Sequence, residues 1–301
     1  MMMDKKQEVE SLLHEWRAKF ASFGKEFEVD ESIDNLVKSF VELLALPQGA
    51  RKNELKRFQS GFEEKYGTDA RVSLCQLIIF SLFCENEEKI DYQNLPDGVV
   101  EYIKEDFVRA IKIATQGNDK ILTVNNTIYN SYVEVMSFIR FPIGNQSVVV
   151  AGFSRSVIRL QSPLKMISFM RLLFSCGGNY PLYELHYNPH RMRSFNPEGW
   201  QTVMRLGAEL LKLRPAIKGI FAGAWFFDPA LKDISPELSY LRELIFEVGG
   251  MIFFTGSNEQ AITNAFAMSK IRKTAFEKGR YNPANYLAII PRKTLLKHFK
   301  I

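Results

Sequence analysis

Several features that would point directly to a function are missing from this chain of 301 residues. It contains neither Gly-x-x-x-x-Gly-Lys-Ser/Thr nor Gly-x-Gly-x-x-Gly, so no loop built to wrap nucleotide phosphates with backbone amides is indicated. The three cysteines, Cys75, Cys84 and Cys176, are odd in number and lack the spacing of zinc ligands. They are typical of reduced core thiols in an intracellular protein.

Patterns for membrane insertion and export are also missing. The longest apolar run, Leu77 to Phe83, is shorter than the roughly 20 residues that a membrane-spanning helix needs. Residues 1–7 lack the apolar core of a secretory signal. We therefore expect a cytoplasmic protein without a membrane span.

The chain has the composition of an ordinary globular protein, and its charge is distributed unevenly along the sequence. Hydrophobic residues make up 46% and charged residues 24%, which at this length is typical of one large or two ordinary domains. Residues 1–117 carry 16 basic and 22 acidic side chains, a net charge of −6, whereas residues 118–301 carry 23 and 12, a net charge of +11. The second segment is therefore expected to bind an anionic ligand or an acidic protein such as acyl carrier protein.

Hydrophobic spacing predicts two segments of different kinds. Apolar residues at intervals of three and four make residues 1–117 an acidic helical domain, and the polar turn at residues 116–119 is the predicted boundary. Residues 118–301 alternate between strands and helices, so the fold class expected is α+β or α/β, with a mixed sheet flanked by helices. The helices are predicted over 8–20, 33–44, 51–66, 70–84, 99–115, 163–175, 198–213, 235–248 and 257–278. The strands are predicted over 147–151, 183–187, 217–227, 251–255 and 286–290.

A polar cluster between a predicted strand and a predicted helix is the main candidate site. It contains His186, His190, Arg191, Arg193 and Asn196. Loops at strand ends carry the chemistry of many α/β proteins; a histidine there can act as a general base near neutral pH, and two arginines can hold a phosphate or carboxylate. The alternative is a solvated basic loop in which Asn196 caps the next helix.

The spacing of His186 and His190 is also that of a possible metal site, because two histidines four residues apart lie on one side of a helix. Pro189 argues against a helix at this point, and Glu184 is the one further ligand nearby. We therefore predict no metal site.

Aromatic and basic residues further along offer two more candidate surfaces. Trp225 follows an apolar strand and Tyr286 lies in the last one, so either could line a substrate pocket or belong to the core. The densest basic run lies within residues 270–280, and it could attract an anionic partner or form a solvated helix face. Neither a nucleic-acid module nor aromatic interleaving accompanies it, so nucleic acid is not the expected partner.

A resemblance to a known family is carried by residues 217–290, which are predicted as strand, helix, strand, helix, strand. Residues 253–262 resemble the strand-to-helix junction of the GNAT-type N-acyltransferases, which often have Asn followed by Ala three positions later and a hydrophobic residue four positions later. Asn258, Ala261 and Ile262 match this pattern. The resemblance implies acyl transfer from a thioester of coenzyme A or acyl carrier protein to an amine, with splayed strands holding the pantetheine arm. It also implies donor contacts from Thr255, Gly256, Ser257 and Asn258.

The chain departs from that family at two places. Residues 228–234, where the resemblance implies a glycine-rich turn for pyrophosphate, contain no glycine, and Ala265 stands where a proton-donating tyrosine often lies. We therefore predict a divergent acyltransferase in which His186 or His190 takes a proton from the amine, with an acyl thioester as co-substrate and no bound cofactor. The rival hypothesis is a binding or regulatory protein whose basic C-terminal surface docks an anionic partner.

Overall fold

The computed structural model describes residues 7–15, 18, 33–44, 46, 48–267 and 269–301. The chain forms two compact units, Met1–Phe141 and Pro142–Ile301. The boundary predicted at residues 116–119 lies inside the first unit, where a further helix follows it and packs on the helices before it.

Helices build the first unit. They are α1 over residues 7–15, α2 (Ile33–Leu44), α3 (Gln48–Asn86), α4 (Asp97–Gln116) and α5 (Thr127–Met136), with a 3-10 turn at Ile90–Tyr92. Gly67 breaks α3 with a φ of 85°, a left-handed value that glycine adopts without strain. The two parts of α3 correspond to the helices predicted over 51–66 and 70–84. The predicted helix over 8–20 is helical where it is described, and its other positions lie outside the described residues.

The second part of α3 forms the centre of this unit's core. Residues 77–80 are fully buried. Beside them the side chain of Gln76 donates to the carbonyl of Ala114 over 2.6 Å, which gives its buried amide nitrogen a partner. Among the described residues, Asn53–Asn86 is the one helix long and apolar enough to cross a bilayer, and 67% of its most apolar stretch is buried inside the protein. A core helix of a globular domain has the same properties.

A six-stranded mixed sheet is the centre of the second unit, and its first strand begins two residues before that unit. Its strands are β1 (Arg140–Ile143), β2 (Gln146–Ala151), β3 (Leu182–Tyr187), β4 (Gly219–Ala224), β5 (Met251–Gly256) and β6 (Asn285–Pro291), in the order β1-β2-β3-β4-β6-β5. The helices are α6 (Pro163–Cys176), α7 (Pro197–Leu213), α8 (Leu231–Ile234), α9 (Tyr240–Glu247), α10 (Glu259–Phe266), α11 (Lys270–Glu277) and α12 (Arg292–Phe299). Strands β3 and β4 run parallel and are joined by α7, whereas the pairs β2–β3, β4–β6 and β5–β6 are antiparallel.

Helices cover both faces of the sheet, which confirms the expected mixed sheet flanked by helices. On one face, Phe169 of α6 contacts Phe253 of β5 at a ring-centroid distance of 4.9 Å. On the other face lie α7, α9 and α12. A Cβ added to Gly207 would stand 2.6 Å from Cδ1 of Ile220, so α7 approaches the sheet closely because it has no side chain there.

Some predicted boundaries differ from the structure for local reasons. The strand predicted over 217–227 ends at Ala224, where a 3-10 turn begins (Trp225–Phe227). The helix predicted over 235–248 is α-helical only from Tyr240. The helix predicted over 257–278 is two helices, because the side chains of Asn258 and Ser269 each cap a separate start.

Strand β1, which is not among the predicted strands, contains Pro142. Strand β1 is at the edge of the sheet, where a residue without an N–H can be accommodated because one side of the strand has no ladder to complete.

Candidate active site

The two parallel strands separate toward their C-terminal ends. The ladder between β3 and β4 pairs Tyr183 with Ile220 and Glu184 with Phe221. Beyond these pairs, β3 continues along β2 and β4 continues along β6. Backbone N–H and C=O groups then face the gap between the strands, and an extended ligand can pair with such groups as an added strand does. The gap lies at the C-terminal edge of the parallel strands, where open α/β sheets bind ligands.

One face of this gap carries an acid and a base. Glu184 and His186 are two residues apart on β3, so their side chains lie on the same side of the sheet. The Nε2 atom of His186 is 3.3 Å from the Oε2 atom of Glu184, and the two side chains are 28% and 27% exposed. The contact has an ion-pair distance without the alignment of a hydrogen bond. The carboxylate can therefore orient the imidazole ring, while solvent and substrate can still reach the pair.

Gly223 leaves open space beside this pair. Phe221 is the partner of Glu184 across the parallel ladder, and Gly223 is two residues further along β4, so it shares the face of Glu184 and His186. A Cβ added to Gly223 would meet no atom within 4 Å. Its backbone lies outside the left-handed region, so the absence of a side chain here provides space and not conformational freedom. A substrate group can thus approach the backbone of β4 close to the acid and base.

Aromatic rings cover the opposite face of the gap. Tyr187 at the end of β3 contacts Phe195 at a ring-centroid distance of 6.0 Å, and Phe195 contacts Phe226, just after β4, at 5.8 Å. Trp200 of α7 packs on Phe195 at 5.9 Å and on Phe226 at 6.1 Å. These edge-to-face contacts connect the ends of the two separated strands. The gap is therefore apolar on the α7 side and polar on the side of the acid and base.

The loop between β3 and α7 is held tightly against the start of α7. The side-chain amide of Asn145 donates to the carbonyl of Ser194, and the N–H of Asn188 donates to the carbonyl of Asn145 over 3.2 Å. A Cβ added to Gly199 would stand 1.8 Å from the Ser194 carbonyl oxygen, so this close approach requires glycine. Asn196 caps α7 as predicted, since its side chain accepts from the N–H of Gly199 over 2.8 Å.

The predicted basic residues of this loop occupy different environments. His190 and Arg193 are exposed, whereas Arg191 is 9% exposed. Arg193 stands three residues before the N-cap of α7, whose N-terminus carries the positive end of the helix dipole. The loop therefore offers an anion one exposed guanidinium and a helix start.

A buried carboxylate follows β4. Asp228 is 3% exposed and accepts N–H bonds from Ala230 over 2.9 Å and Ala284 over 3.3 Å. Burial raises the pKa of Asp228, and these two hydrogen bonds together with the nearby Arg242 guanidinium oppose that shift. Burial also raises the pKa of Tyr286, so its hydroxyl stays protonated at neutral pH. Tyr286, a candidate for lining a substrate pocket, lies on β6 opposite the last residue of β4.

Tyr240 places a protonated phenol at the start of α9. Burial raises the pKa of Tyr240 to about 12, and the Glu198 carboxylate in the first turn of α7 adds to the shift. The hydroxyl oxygen is buried and has no hydrogen-bond partner among the described residues. Helices α7 and α9 both begin beyond the C-terminal ends of β3 and β4, so this hydroxyl lies at the same edge of the sheet as the gap.

The residues predicted to contact a donor lie at the end of the outer strand of the sheet, away from the parallel pair. Thr255 and Gly256 end β5, which is the outer strand, and β6 separates it from the parallel pair. The hydroxyl of Ser257 donates to the Pro283 carbonyl over 2.6 Å, and the side chain of Asn258 accepts from the Ala261 N–H over 2.8 Å. These polar groups stabilise a turn and a helix start, and the structure does not bring them together with the β3–α7 loop.

Trp225 makes contacts within the protein. Its ring lies 4.7 Å from the guanidinium carbon of Arg272, and it packs against a small buried cluster with Leu231 and Tyr281. Arg272 belongs to the basic run of the sequence, yet it is 6% exposed and donates to the Ala265 carbonyl over 2.6 Å. One of the charges counted in that run is therefore inside the protein.

Three residues that the sequence did not single out for catalysis complete the site. They are Glu184, which contacts His186, Gly223, which leaves space beside that pair, and Tyr240, which has a buried hydroxyl. Only Glu184 had a usable signal, its spacing of two from His186 on a predicted strand. In the part of the chain that the structure describes, no group of three or more His, Cys, Asp or Glu is placed to hold a metal.

Comparison with known proteins gives similarity at the level of structure. No family model and no curated protein matches the sequence. An acyltransferase in complex with decanoyl-CoA has a TM-score of 0.46 at 9% identity, with 84% of this chain and 86% of that chain covered. An acyltransferase in complex with decanoyl-CoA and teicoplanin gives 0.45 at 11% identity, with coverages of 90% and 87%. A complex with CoA and 10C-teicoplanin gives 0.42 at 10% identity, with coverages of 82% and 81%. At these values the similarity carries no functional argument of its own.

Proposed function

We propose that the second unit transfers an acyl group from a coenzyme A thioester to an amine. The observation that carries this proposal is the separation of β3 and β4, with Glu184, His186 and Gly223 on one face of the gap. The amide groups of a pantetheine arm can pair with the backbone groups that face the gap. The GNAT resemblance implies splayed strands for this purpose, and β3 and β4 supply them one strand earlier in the chain than the sequence match.

The start of α7 supports binding at the anionic end of the donor. α7 has 17 residues, and the N-terminus of such a helix carries roughly half an elementary positive charge. Exposed Arg193 adds a full charge nearby. Because α7 begins just after β3, a phosphate attached to an arm between the strands would lie at this end. Acyl carrier protein presents the same phosphorylated arm, so it remains an alternative donor within the proposal.

His186 is the proposed general base. As the amine nitrogen attacks the thioester carbonyl, a C–N bond forms, the C–S bond breaks and the thiolate leaves. The amine proton passes to Nδ1 of His186, while Glu184 on the Nε2 side stabilises the imidazolium. Backbone N–H groups of β4 near Gly223 can stabilise the negative charge that develops on the carbonyl oxygen. Tyr240, with a pKa of about 12, can donate a hydrogen bond to the thiolate but is too weak an acid to protonate it fully, since a thiol has a pKa of about 8.5.

Binding and turnover test this proposal separately. Coenzyme A should raise the thermal unfolding midpoint of the purified protein, because a ligand stabilises the state that binds it. Release of free thiol from an acyl-coenzyme A in the presence of a panel of amines measures transfer. His186→Gln should lower kcat by about 100-fold to 10,000-fold without changing the thermal shift. Glu184→Gln should give a smaller loss of the same kind.

Controls separate the two candidate histidines and the rival function. His298→Gln alters an exposed histidine on α12 and should leave turnover unchanged. If His190→Gln lowered kcat strongly and His186→Gln left kcat unchanged, the general base would be His190 in the loop. A protein that gains no stability from coenzyme A or acyl carrier protein, releases no thiol and forms a salt-sensitive complex with an acidic protein would instead be the binding protein of the rival hypothesis.

A further inference from the structure

Helix α6 is apolar on two sides. Its inward side includes Phe169 and Leu172, which are buried against the sheet. Its outward side carries Leu164, Ile167 and Phe174, which are 79%, 52% and 80% exposed. Their spacing of three and seven residues puts them in one row along the helix. Contiguous exposed apolar side chains of this size mark an interaction surface.

The same apolar surface continues onto the 3-10 turn before α6, which spans Arg155–Leu160. Leu160 of that turn is 50% exposed. Between the turn and α6 lies an open groove of about 440 Å³, which Ile158, Met170 and Leu173 help to line. The α6 surface is defined here as the exposed residues Arg155, Arg159, Leu160, Leu164, Lys165, Ile167, Met170, Arg171 and Phe174.

The charges of the α6 surface have one sign. Residues 135–183 contain no Asp or Glu, so the turn, the helix and the segments around them contribute only basic side chains. The α6 surface contains four of these, and all four are exposed: Arg155, Arg159, Lys165 and Arg171. Exposed apolar residues flanked by Lys and Arg, without acidic residues, suit an anionic lipid interface.

The shape of the surface favours lipid over a folded partner. Leu164 and Phe174 protrude with about four fifths of their surface in solvent, whereas a protein interface usually presents its anchors against a matching pocket. Protruding side chains can insert at the boundary between headgroups and acyl chains. Arg171 lies between Leu164 and Ile167 around the helix, and it can reach lipid phosphates while its alkyl stem stays near the apolar layer.

We propose that the α6 surface docks on an anionic lipid membrane, with α6 lying in the plane of the interface. The apolar row inserts at headgroup depth, and the four basic side chains contact lipid phosphates. This inference is independent of the proposed acyl transfer, since it uses residues on the outer side of α6 and not those at the gap.

Flotation of the full chain with lipid vesicles tests the proposal. The protein should float with vesicles of phosphatidylcholine and phosphatidylglycerol, and much less with phosphatidylcholine alone or at high salt. The triple variant Arg159→Gln, Lys165→Gln, Arg171→Gln should weaken binding by about fivefold for each charge removed. The triple variant Leu164→Ser, Ile167→Ser, Phe174→Ser should weaken it at least tenfold, and circular dichroism should show unchanged folding because these side chains are exposed.

A matched variant controls for total charge. Lys270→Gln, Lys273→Gln, Lys278→Gln removes three exposed charges at α11 and should change vesicle binding little. An equal loss in both charge variants would overturn the proposal, because attraction would then depend on net charge alone. It would also be overturned if the wild-type protein ignored anionic vesicles at low salt. Self-association or binding to an acidic protein that the serine variant abolishes, without vesicle binding, would assign the surface to a protein partner instead.

Discussion

Replacing Gly199 with alanine should disturb the start of α7 without touching the acid and base. The new Cβ would stand 1.8 Å from the Ser194 carbonyl oxygen and 2.9 Å from the side-chain amide nitrogen, Nδ2, of Asn145. Non-bonded heavy atoms prefer about 3.5 Å, so the loop would have to move by roughly 1.5 Å. Overpacking costs about 1–3 kcal/mol, and a contact of 1.8 Å with a backbone atom lies in the upper part of that range, at about 2–3 kcal/mol; alanine regains about 1 kcal/mol in helix propensity. The net loss in the free energy of unfolding should be about 1–2 kcal/mol.

Thermal unfolding followed by tryptophan fluorescence measures this loss. Trp200 and Trp225 both lie in the second unit, so the signal reports largely on the unit that contains Gly199. A loss of this size should lower the midpoint by roughly 2–8 °C in a domain of this length, and coenzyme A should stabilise the variant less than the wild type. Gly61→Ala is the control: a Cβ there meets no atom within 4 Å and Gly61 lies in the first unit, so the midpoint that Trp200 and Trp225 report should not fall. An unchanged midpoint with unchanged coenzyme A binding in Gly199→Ala would refute the importance of this close approach.

Two further predictions concern space and protonation. Gly223→Leu should keep the unfolding midpoint, because nothing lies within 4 Å of a Cβ there, yet it should abolish thiol release by filling the space beside His186; retained turnover would place the substrate elsewhere. In a Cys84→Ser background, Cys75 and Cys176 should resist thiol reagents until the protein unfolds, since burial raises the pKa of these thiols to about 12 and about 11. The unfolded chain loses these protons first, so the free energy of unfolding should fall as pH rises from about 9 toward 11, and a flat profile over that range would contradict the assignment.

Local signals in the sequence predicted much of the second unit. The start of α7 is an example: Asn196 accepts the cap hydrogen bond and Pro197 occupies the first helical position, as their order in the sequence indicates. The end of α6 at Gly177, with a φ of 69°, is another. Each depends on residues within one turn of each other, so no knowledge of the rest of the fold is needed.

Strand order could not be predicted in the same way. Strand β6 is the last in the chain, yet it lies between β4 and β5 and separates them. Pairing over such distances depends on which faces pack together and leaves no local pattern. The residues matched to a donor-binding junction, Thr255 to Asn258, therefore lie at the end of the outer strand and in the turn after it, while the separated parallel strands are β3 and β4.

The candidate site follows from alternation along one short strand. In β3, Tyr183, Leu185 and Tyr187 face α7, while Glu184 and His186 face the other side, because side chains alternate at every residue. Substitutions on the α7 side should therefore act through packing, and those at Glu184 and His186 should act on the reaction. Such a division requires the strand to have one buried face and one accessible face. β3 has both only because it parts from β4 beyond Glu184, so the separation of the strands creates the space and also makes the acid and base accessible to a substrate.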